Sequence, residues 1–130
     1  MTSFIEPRLG DSAPMLVFDY PASQASLAKI RNDDPPVAER FEVYYRGVEL
    51  ANGFHELTDA AEQQKRFVAE RDRRRLLGRG DTEIDERLVA ALASGMASCS
   101  GVALGIDRLL MLKLGVETIE EVIQFPIDRA

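Results

Sequence analysis

The sequence has little cysteine, no excess of positive charge and no long hydrophobic run. Cys99 is the single cysteine in 130 residues, which excludes an internal disulfide framework and fits a reducing cytoplasm. The formal net charge of −6 argues against a dedicated nucleic-acid-binding module, although the arginines between 71 and 75 leave room for a local basic patch. No apolar run approaches the roughly 18 residues that span a bilayer, and residues 1–6 do not resemble a signal peptide. These absences predict a cytoplasmic protein without membrane contact.

The composition is that of an ordinary globular protein. Hydrophobic residues make up 45% of the chain and charged residues 29%, which argues against intrinsic disorder. The length of 130 residues allows a single core, so we expect one domain or part of one. The sequence contains neither an internal repeat nor a low-complexity tract.

Local patterns predict several strands and helices along the chain. Residues 15–20 are apolar and stop at a proline, which is typical of a short, well-buried strand. Residues 23–30 fit a short helix. Two acidic residues with capping-box spacing predict a helix over 59–77, and a second helix is expected over 85–93.

A stretch near the C-terminus joins an apolar strand to an apolar helix. Residues 101–106 are small or β-branched, as in a buried strand, and residues 107–114 place leucines at helical spacing. Gly105 lacks a β-carbon, so a flat ligand has room to lie directly against the backbone. Arg108 follows Gly105 at the strand-to-helix junction, and we expect its guanidinium to point toward such a ligand. In the alternative interpretation, Asp107 caps the helix and Arg108 is its surface partner.

A predicted β-hairpin carries the next candidate site. Residues 41–45 and the segment from residue 48 onward flank Arg46-Gly47, a plausible two-residue turn. Cross-strand pairing around this turn puts Glu42 and Glu49 on one face as diagonal neighbours, about 7–8 Å apart at the backbone. Both carboxylates can then reach one divalent cation. The alternative is a solvent-facing strand with scattered acids, and spacing alone does not choose between the two.

Three residues that follow Glu49 in the sequence occupy alternate positions and therefore share one face of a strand. Asn52, Phe54 and Glu56 combine an amide, a ring and an acid, and a carboxylate beside an aromatic ring suits an amine or ammonium group. A flat strand would put all three opposite Glu49, so a single site needs a bulge or twist, which Gly53 favours. In the alternative interpretation, Gly53 is a turn glycine, Phe54 is a core residue and Glu56 is a surface acid.

The same residues carry a family resemblance. Gly-x-Asp-Arg at 105–108, before an apolar helix, resembles motif 3 of class II aminoacyl-tRNA synthetases. Residues 40–59 resemble the segment before motif 3 in lysyl-tRNA synthetases. They are more similar still to the truncated paralogues of those enzymes, the elongation factor P—(R)-β-lysine ligases (GenX/PoxA family). Residues 21–28 and 115–130 also fit these paralogues, so the resemblance covers nearly the whole chain. It implies an α+β fold, an antiparallel sheet flanked by helices, forming the C-terminal portion of a class II synthetase-like catalytic domain.

The resemblance assigns a role to each candidate residue. Those that match the magnesium ligands are Glu42 and Glu49. Those that match the ATP-binding residues are Glu49, Leu50, Gly105 and Arg108. In this comparison Gly105 lies beneath adenine, and Arg108, the catalytic arginine, stacks on adenine and contacts the phosphates. Those that match the amino-acid pocket are Asn52, Phe54, Glu56 and Ala103. Glu56 faces the side-chain amine there.

The activity implied by the resemblance is carboxylate adenylation with ATP and Mg²⁺. The implied substrate is lysine or β-lysine, and its acyl group would pass to a lysine of elongation factor P rather than to tRNA. One alternative is the C-terminal catalytic segment of a lysyl-tRNA synthetase, although those enzymes usually have glycine where this sequence has Ala103. Another is a non-catalytic synthetase-like interaction module.

Motifs 1 and 2 of the class II catalytic domain have no match in the sequence. We therefore expect residues 1–130 to be a C-terminal piece of that domain, with motifs 1 and 2 upstream of Met1. Such a piece leaves a sheet edge unpaired and apolar faces exposed, which predicts a homodimer or other self-association. Residues 1–130 alone are expected to lack adenylation activity, because motif 2 supplies an ATP-binding arginine.

Overall fold

An antiparallel sheet with flanking helices makes up the fold, which confirms the predicted α+β class. The computed structural model describes residues 4–127, so Asp128 to Ala130 of the tail used for the resemblance lie outside the described residues. The sheet has the order β1-β3-β4-β5, and its strands are β1 (Met15–Pro21), β3 (Val37–Tyr45), β4 (Val48–His55) and β5 (Ser100–Leu104). A short strand β2 (Ile30–Arg31) pairs antiparallel with β3. The helices are α1 (Ala60–Leu76), α2 (Glu86–Ala93) and α3 (Ile106–Leu114), with 3₁₀ turns at Glu6–Arg8, Ala22–Gln24 and Ile119–Glu121.

The chain divides into two compact units, each built from separate segments. The first unit contains Met1–Phe18, Phe41–Gly53 and Val102–Ala130, and the second contains Asp19–Arg40 and Phe54–Gly101. In the first unit the buried side chains include Glu42, Tyr44, Leu50 and Ala51. In the second unit they include Tyr20, Ala25, Ala28, Ala38 and Gln63. Within residues 4–127, none of the helices is long and apolar enough to cross a membrane.

The hairpin between β3 and β4 turns at Arg46-Gly47, as predicted. Both residues have positive φ, 51° and 73°, the two-residue geometry whose twist matches that of the flanking strands. Their backbone N–H groups donate to the carbonyl oxygens of Gly10 and Leu9 at 2.9 Å. An added β-carbon on Gly10 would lie 2.5 Å from the Tyr44 carbonyl oxygen. Only glycine therefore lets the N-terminal segment approach the turn so closely.

Two predictions for residues before the hairpin are wrong. β1 is not well buried, because its large apolar side chains are exposed and Tyr20 is its buried residue. The expected helix over 23–30 does not form. Ser26 has a positive φ of 51°, which interrupts helical geometry just after the 3₁₀ turn. The Lys29 N–H then donates to the His55 carbonyl at 2.8 Å, so the backbone bonds of this segment go to the sheet.

Both predicted central helices are present, and acidic N-caps begin them. The Asp59 carboxylate accepts the Glu62 N–H at 3.0 Å and starts α1. The Glu62 carboxylate does not complete a capping box, because it accepts instead from Arg66 at 3.0 Å. The Asp85 carboxylate accepts the N–H groups of the second and third residues of α2, each at 3.0 Å.

The strand-to-helix junction at the C-terminal end forms where predicted, but the strand is not buried. Val102 is 67% exposed and Leu104 is 50% exposed, and β5 stands last in the strand order of the described residues. Gly105 occupies the N-cap of α3, so the alternative in which Asp107 caps the helix is wrong. Gly115 ends the helix in the left-handed conformation at φ 69°, as expected.

Candidate functional site

In the first unit, Glu49 contacts both Asn52 and Arg108. Arg108 Nη1 donates to the Glu49 carbonyl oxygen at 2.7 Å and lies 3.7 Å from Glu49 Oε2. Asn52 Nδ2 donates to Glu49 Oε1 at 3.1 Å. Glu49 is half-buried and Arg108 is exposed on the first turn of α3. We call these three residues the Glu49 cluster. In it, the Asn52 amide donates a hydrogen bond to the Glu49 carboxylate, and the Arg108 guanidinium offsets the negative charge of that carboxylate.

Gly105 brings the start of α3 against β4. Its N–H donates to the Leu50 carbonyl oxygen at 2.8 Å. A β-carbon on Gly105 would lie 3.4 to 3.6 Å from the aliphatic carbons of Arg108, which is ordinary van der Waals contact. Arg108 is therefore folded along the bare backbone of Gly105. Four of the predicted nucleotide and metal residues, Glu49, Leu50, Gly105 and Arg108, are joined by direct contacts.

Glu49 and Asn52 are in contact, although a flat strand would put their side chains on opposite faces. In a regular strand, side chains three positions apart point to opposite faces. A hydrogen bond between these two side chains shows that the alternation is interrupted within β4. Consistent with this, the successive residues Leu50 and Ala51 are both buried, as is Gly53. The interruption therefore lies between Glu49 and Asn52, whereas the sequence placed the twist or bulge near Ala51-Asn52-Gly53.

Glu42 is the buried member of the predicted metal pair. It is only 5% exposed on β3, and its carboxylate accepts a hydrogen bond from the Tyr44 hydroxyl. Within residues 4–127, no group of three or more His, Cys, Asp or Glu side chains is arranged to hold a metal ion. The predicted pair has two carboxylates, which suits Mg²⁺, because this ion usually takes one or two protein carboxylates together with phosphate oxygens and water.

The predicted amino-acid residues are divided between the two units. Asn52 belongs to the first unit and to the Glu49 cluster, and Ala103 is an exposed residue of β5 in the same unit. Phe54 and Glu56 belong to the second unit, where both are half-buried. The Glu56 N–H donates to the Cys99 carbonyl oxygen at 2.9 Å. Each role assigned by resemblance stays a prediction.

A hydrogen-bonded group that the sequence patterns did not predict surrounds His55 in the second unit. His55 Nδ1 lies 2.7 Å from Glu39 Oε2, and its Nε2 lies 2.8 Å from Ser98 Oγ. The imidazole thus links three segments that are distant in the sequence. His55 is the only histidine in the sequence and directly precedes Glu56, which is the signal that could have drawn attention to it.

The arginines of α1 do not form a uniform basic surface. Arg75 pairs with Asp81, and this guanidinium holds the pKa of the Asp81 carboxyl below its usual range. Arg73 lies 3.9 Å from Glu70, and Arg71 has an equally distant acidic neighbour on the same helix. Acidic neighbours of Arg71, Arg73 and Arg75 therefore compensate part of the local positive charge that the sequence suggested.

A comparison with known protein families agrees with the fold. Residues 6–129 match the model of the family described as tRNA synthetases class II (D, K and N). The match includes both units, the hairpin, the Glu49 cluster and the junction at Gly105. Members of this family generally use ATP and Mg²⁺. The chain therefore belongs to the class II tRNA synthetases (D, K and N), a family of amino-acid-activating ligases.

Proposed function

We propose that this chain is the motif 3 part of an ATP-dependent ligase that adenylates the carboxylate of lysine or β-lysine. The Glu49 cluster is the observation that carries the proposal. It combines a carboxylate suited to Mg²⁺ with an arginine suited to phosphate, and Gly105 lies beside that arginine. These groups would position a nucleoside triphosphate so that the substrate carboxylate attacks the α-phosphate in line. Orientation and charge neutralisation then supply the catalysis.

In this proposal the residues of the first unit hold the nucleotide. Glu42 and Glu49 bind the metal ion, and Arg108 turns from Glu49 toward the phosphates and the adenine face. Arg108 is exposed and its contact with the Glu49 carboxylate is long, at 3.7 Å; phosphate oxygens would take over the hydrogen bond that its guanidinium donates to the Glu49 carbonyl oxygen at 2.7 Å. Bound Mg²⁺ would neutralise the phosphate charge. Gly105 keeps the backbone accessible beneath the base.

The amine end of the substrate is assigned to Glu56, with Phe54 beside it. A carboxylate attracts an ammonium group through a charge-assisted hydrogen bond, and an aromatic ring adds a cation–π contact. Ala103 supplies a methyl group at a position where lysyl-tRNA synthetases usually have glycine. We propose that this methyl changes the pocket shape in favour of a β-amino acid.

We propose a lysine of elongation factor P, in the cytoplasm, as the acyl acceptor. The net charge of −6 and the compensated arginines of α1 support a protein acceptor over tRNA. Exposed apolar residues of the first unit support self-association. They include Met15, Leu16, Phe18, Val102, Leu104, Ile106, Leu109, Leu114 and Phe125. Light scattering at high concentration tests this, and a monomer would contradict it.

ATP–pyrophosphate exchange tests the activity. We call the protein that unites this chain with motifs 1 and 2 the complete enzyme. The complete enzyme should exchange pyrophosphate when lysine or β-lysine is added, whereas residues 1–130 alone should not. Exchange by residues 1–130 alone would overturn the proposed division of the site. Absence of exchange and of Mg-ATP binding by calorimetry in the complete enzyme would favour a non-catalytic interaction module.

Transfer of labelled lysine identifies the acceptor. The complete enzyme should label elongation factor P and leave tRNA unlabelled. The opposite result would identify the chain as part of a lysyl-tRNA synthetase instead. Comparing lysine with β-lysine in the same assay, for the natural protein and for Ala103→Gly, tests the role of the methyl group. An unchanged preference would contradict that role.

A further inference from the structure

In the second unit, the Glu56 carboxylate occupies the space where residue 101 has no side chain. A β-carbon built on Gly101 would lie 2.7 Å from Glu56 Oε1 and 3.9 Å from the Glu56 carboxyl carbon. The first distance is shorter than real contacts of a β-carbon. Glu56 and a side chain at residue 101 therefore cannot both keep these positions.

The backbone that carries Glu56 is held to the segment that leads into Gly101. The Glu56 N–H donates to the Cys99 carbonyl oxygen at 2.9 Å. One residue earlier, the His55 imidazole lies 2.8 Å from the Ser98 hydroxyl and, through its other nitrogen, 2.7 Å from the Glu39 carboxylate. Since the backbone of Glu56 is held in place, the position of its carboxylate depends on the size of the side chain at residue 101.

We infer that Gly101 is a positioning residue for the Glu56 carboxylate. Its missing methyl group sets how far the carboxylate can withdraw toward β5, and this sets the depth at which the pocket accepts an amine. The ligand class is an amino acid with a primary ammonium group on its side chain. This inference rests on the proposed function of Glu56 and adds Gly101 as a determinant of substrate length.

A methyl group at residue 101 should change the site without unfolding the protein. Gly101 lies in a strand and does not have a positive φ, so its backbone conformation suits alanine. The atom that the methyl would strike is the end of a flexible side chain, which can rotate away. Because charge-assisted hydrogen bonds need short distances, a displaced carboxylate loses its bond to the ammonium group.

Gly101→Ala in the complete enzyme tests the inference by pyrophosphate exchange. The KM for lysine should rise about tenfold or more, the range expected for losing a hydrogen bond to a charged group. The KM for ATP and the unfolding temperature should stay unchanged. Gly105→Ala is the matched control, because its methyl meets Arg108 carbons at 3.4 Å and should affect ATP rather than lysine.

A double-mutant cycle with Glu56→Ala shows whether the methyl acts through the carboxylate. In the Glu56→Ala background, Gly101→Ala should add no further loss of lysine affinity. An equal additional loss there would overturn the inference. If Gly101→Ala instead lowers the unfolding temperature, Glu56→Ala should restore it, and failure to restore it would also overturn the inference.

Glu56→Ala by itself separates this inference from the proposed function. If Glu56→Ala leaves the KM for lysine unchanged, the assignment of Glu56 to the amine is wrong, and the inference falls with it. If Glu56→Ala raises that KM and Gly101→Ala does not, only the positioning role of Gly101 is wrong. A partial rescue of Gly101→Ala by Glu56→Asp would support the inference, because the shorter side chain withdraws from the added methyl.

Discussion

Glu49 in the first unit and Glu56 in the second are acids assigned to the two substrates of one proposed reaction, and their surroundings differ. Glu49 is held by donors, since Asn52 and Arg108 both contact it. The Glu56 carboxylate is held by shape, because it lies in the space left by a glycine. Hydrogen bonds and charge thus position the Glu49 carboxylate, whereas steric packing against Gly101 limits the position of the Glu56 carboxylate.

This difference determines which substitutions reveal each role. Around Glu49, removing a charge at constant shape should alter nucleotide binding. Around Glu56, adding or removing a methyl group should matter as much as changing charge.

Arg108→Ala should cause the largest loss. It removes the guanidinium assigned to the phosphates, and losing one well-placed donor costs about 10²–10³ in rate. Arg108→Lys should recover little of it, because an ammonium neither stacks nor binds oxygens in a bidentate way. The measurement is the pyrophosphate exchange rate of the complete enzyme. Lys113→Ala, on the exposed face of α3, is the control, and an equal loss there would remove the special role of Arg108.

Glu49→Gln should weaken Mg-ATP binding at nearly constant shape. The expected change is at least comparable to the roughly 10–100-fold loss seen when a group supporting a metal ligand is removed. The amide oxygen can still accept from Asn52, so the unfolding temperature should not change. Calorimetric titration at several Mg²⁺ concentrations measures the effect, with Glu120→Gln as an exposed control. Unchanged affinity at saturating Mg²⁺ would reject the metal assignment.

Glu56→Ala should raise the KM for lysine about tenfold or more and leave the KM for ATP unchanged, because it removes the acid facing the amine. Norleucine, which lacks the side-chain amine, offers a test from the substrate side. Its weaker binding should be insensitive to Glu56→Ala. Equal rises in the KM for lysine and the KM for ATP would mean that the pocket had collapsed. Separate roles for Glu49 and Glu56 would then be contradicted.

Asn52→Ala should have a smaller effect, because it removes one neutral donor from Glu49. The expected loss is about 1 kcal/mol in Mg-ATP binding. This loss should disappear when Glu49 is already glutamine, if Asn52 acts through that carboxylate. If Asn52→Ala instead raises the KM for lysine alone, Asn52 belongs to the amino-acid pocket, as the family resemblance implies.

Ser98→Ala should have the smallest effect. It removes the hydrogen bond to His55 at 2.8 Å, which is worth about 1 kcal/mol of stability. The free energy of unfolding from urea titration measures it, with exposed Ser12→Ala as the control. A large rise in the KM for lysine without a loss of stability would show that the Glu56 site depends on this anchor more than on the space at Gly101.

Elements with local signals were predicted well. The Arg46-Gly47 turn, the Asp59 cap and the helix expected over 85–93 depend on residues close in the sequence, and all three form where expected. The helix proposed over 23–30 failed because its backbone bonds go to residues far along the chain. Burial also failed: apolar patterns predicted buried strands at β1 and β5, but burial depends on which neighbours cover a strand.

The candidate site divides in the same way. The sequence by itself determined the residue types, the hairpin and the glycine before Arg108, because turn chemistry, capping and a short motif are local properties. Only the tertiary structure decided that Glu49 contacts both Asn52 and Arg108, and that Glu56 fills the space at Gly101. These contacts join positions up to 59 residues apart. Their geometry depends on strand pairing and on an interrupted alternation within β4, which residue spacing alone does not specify.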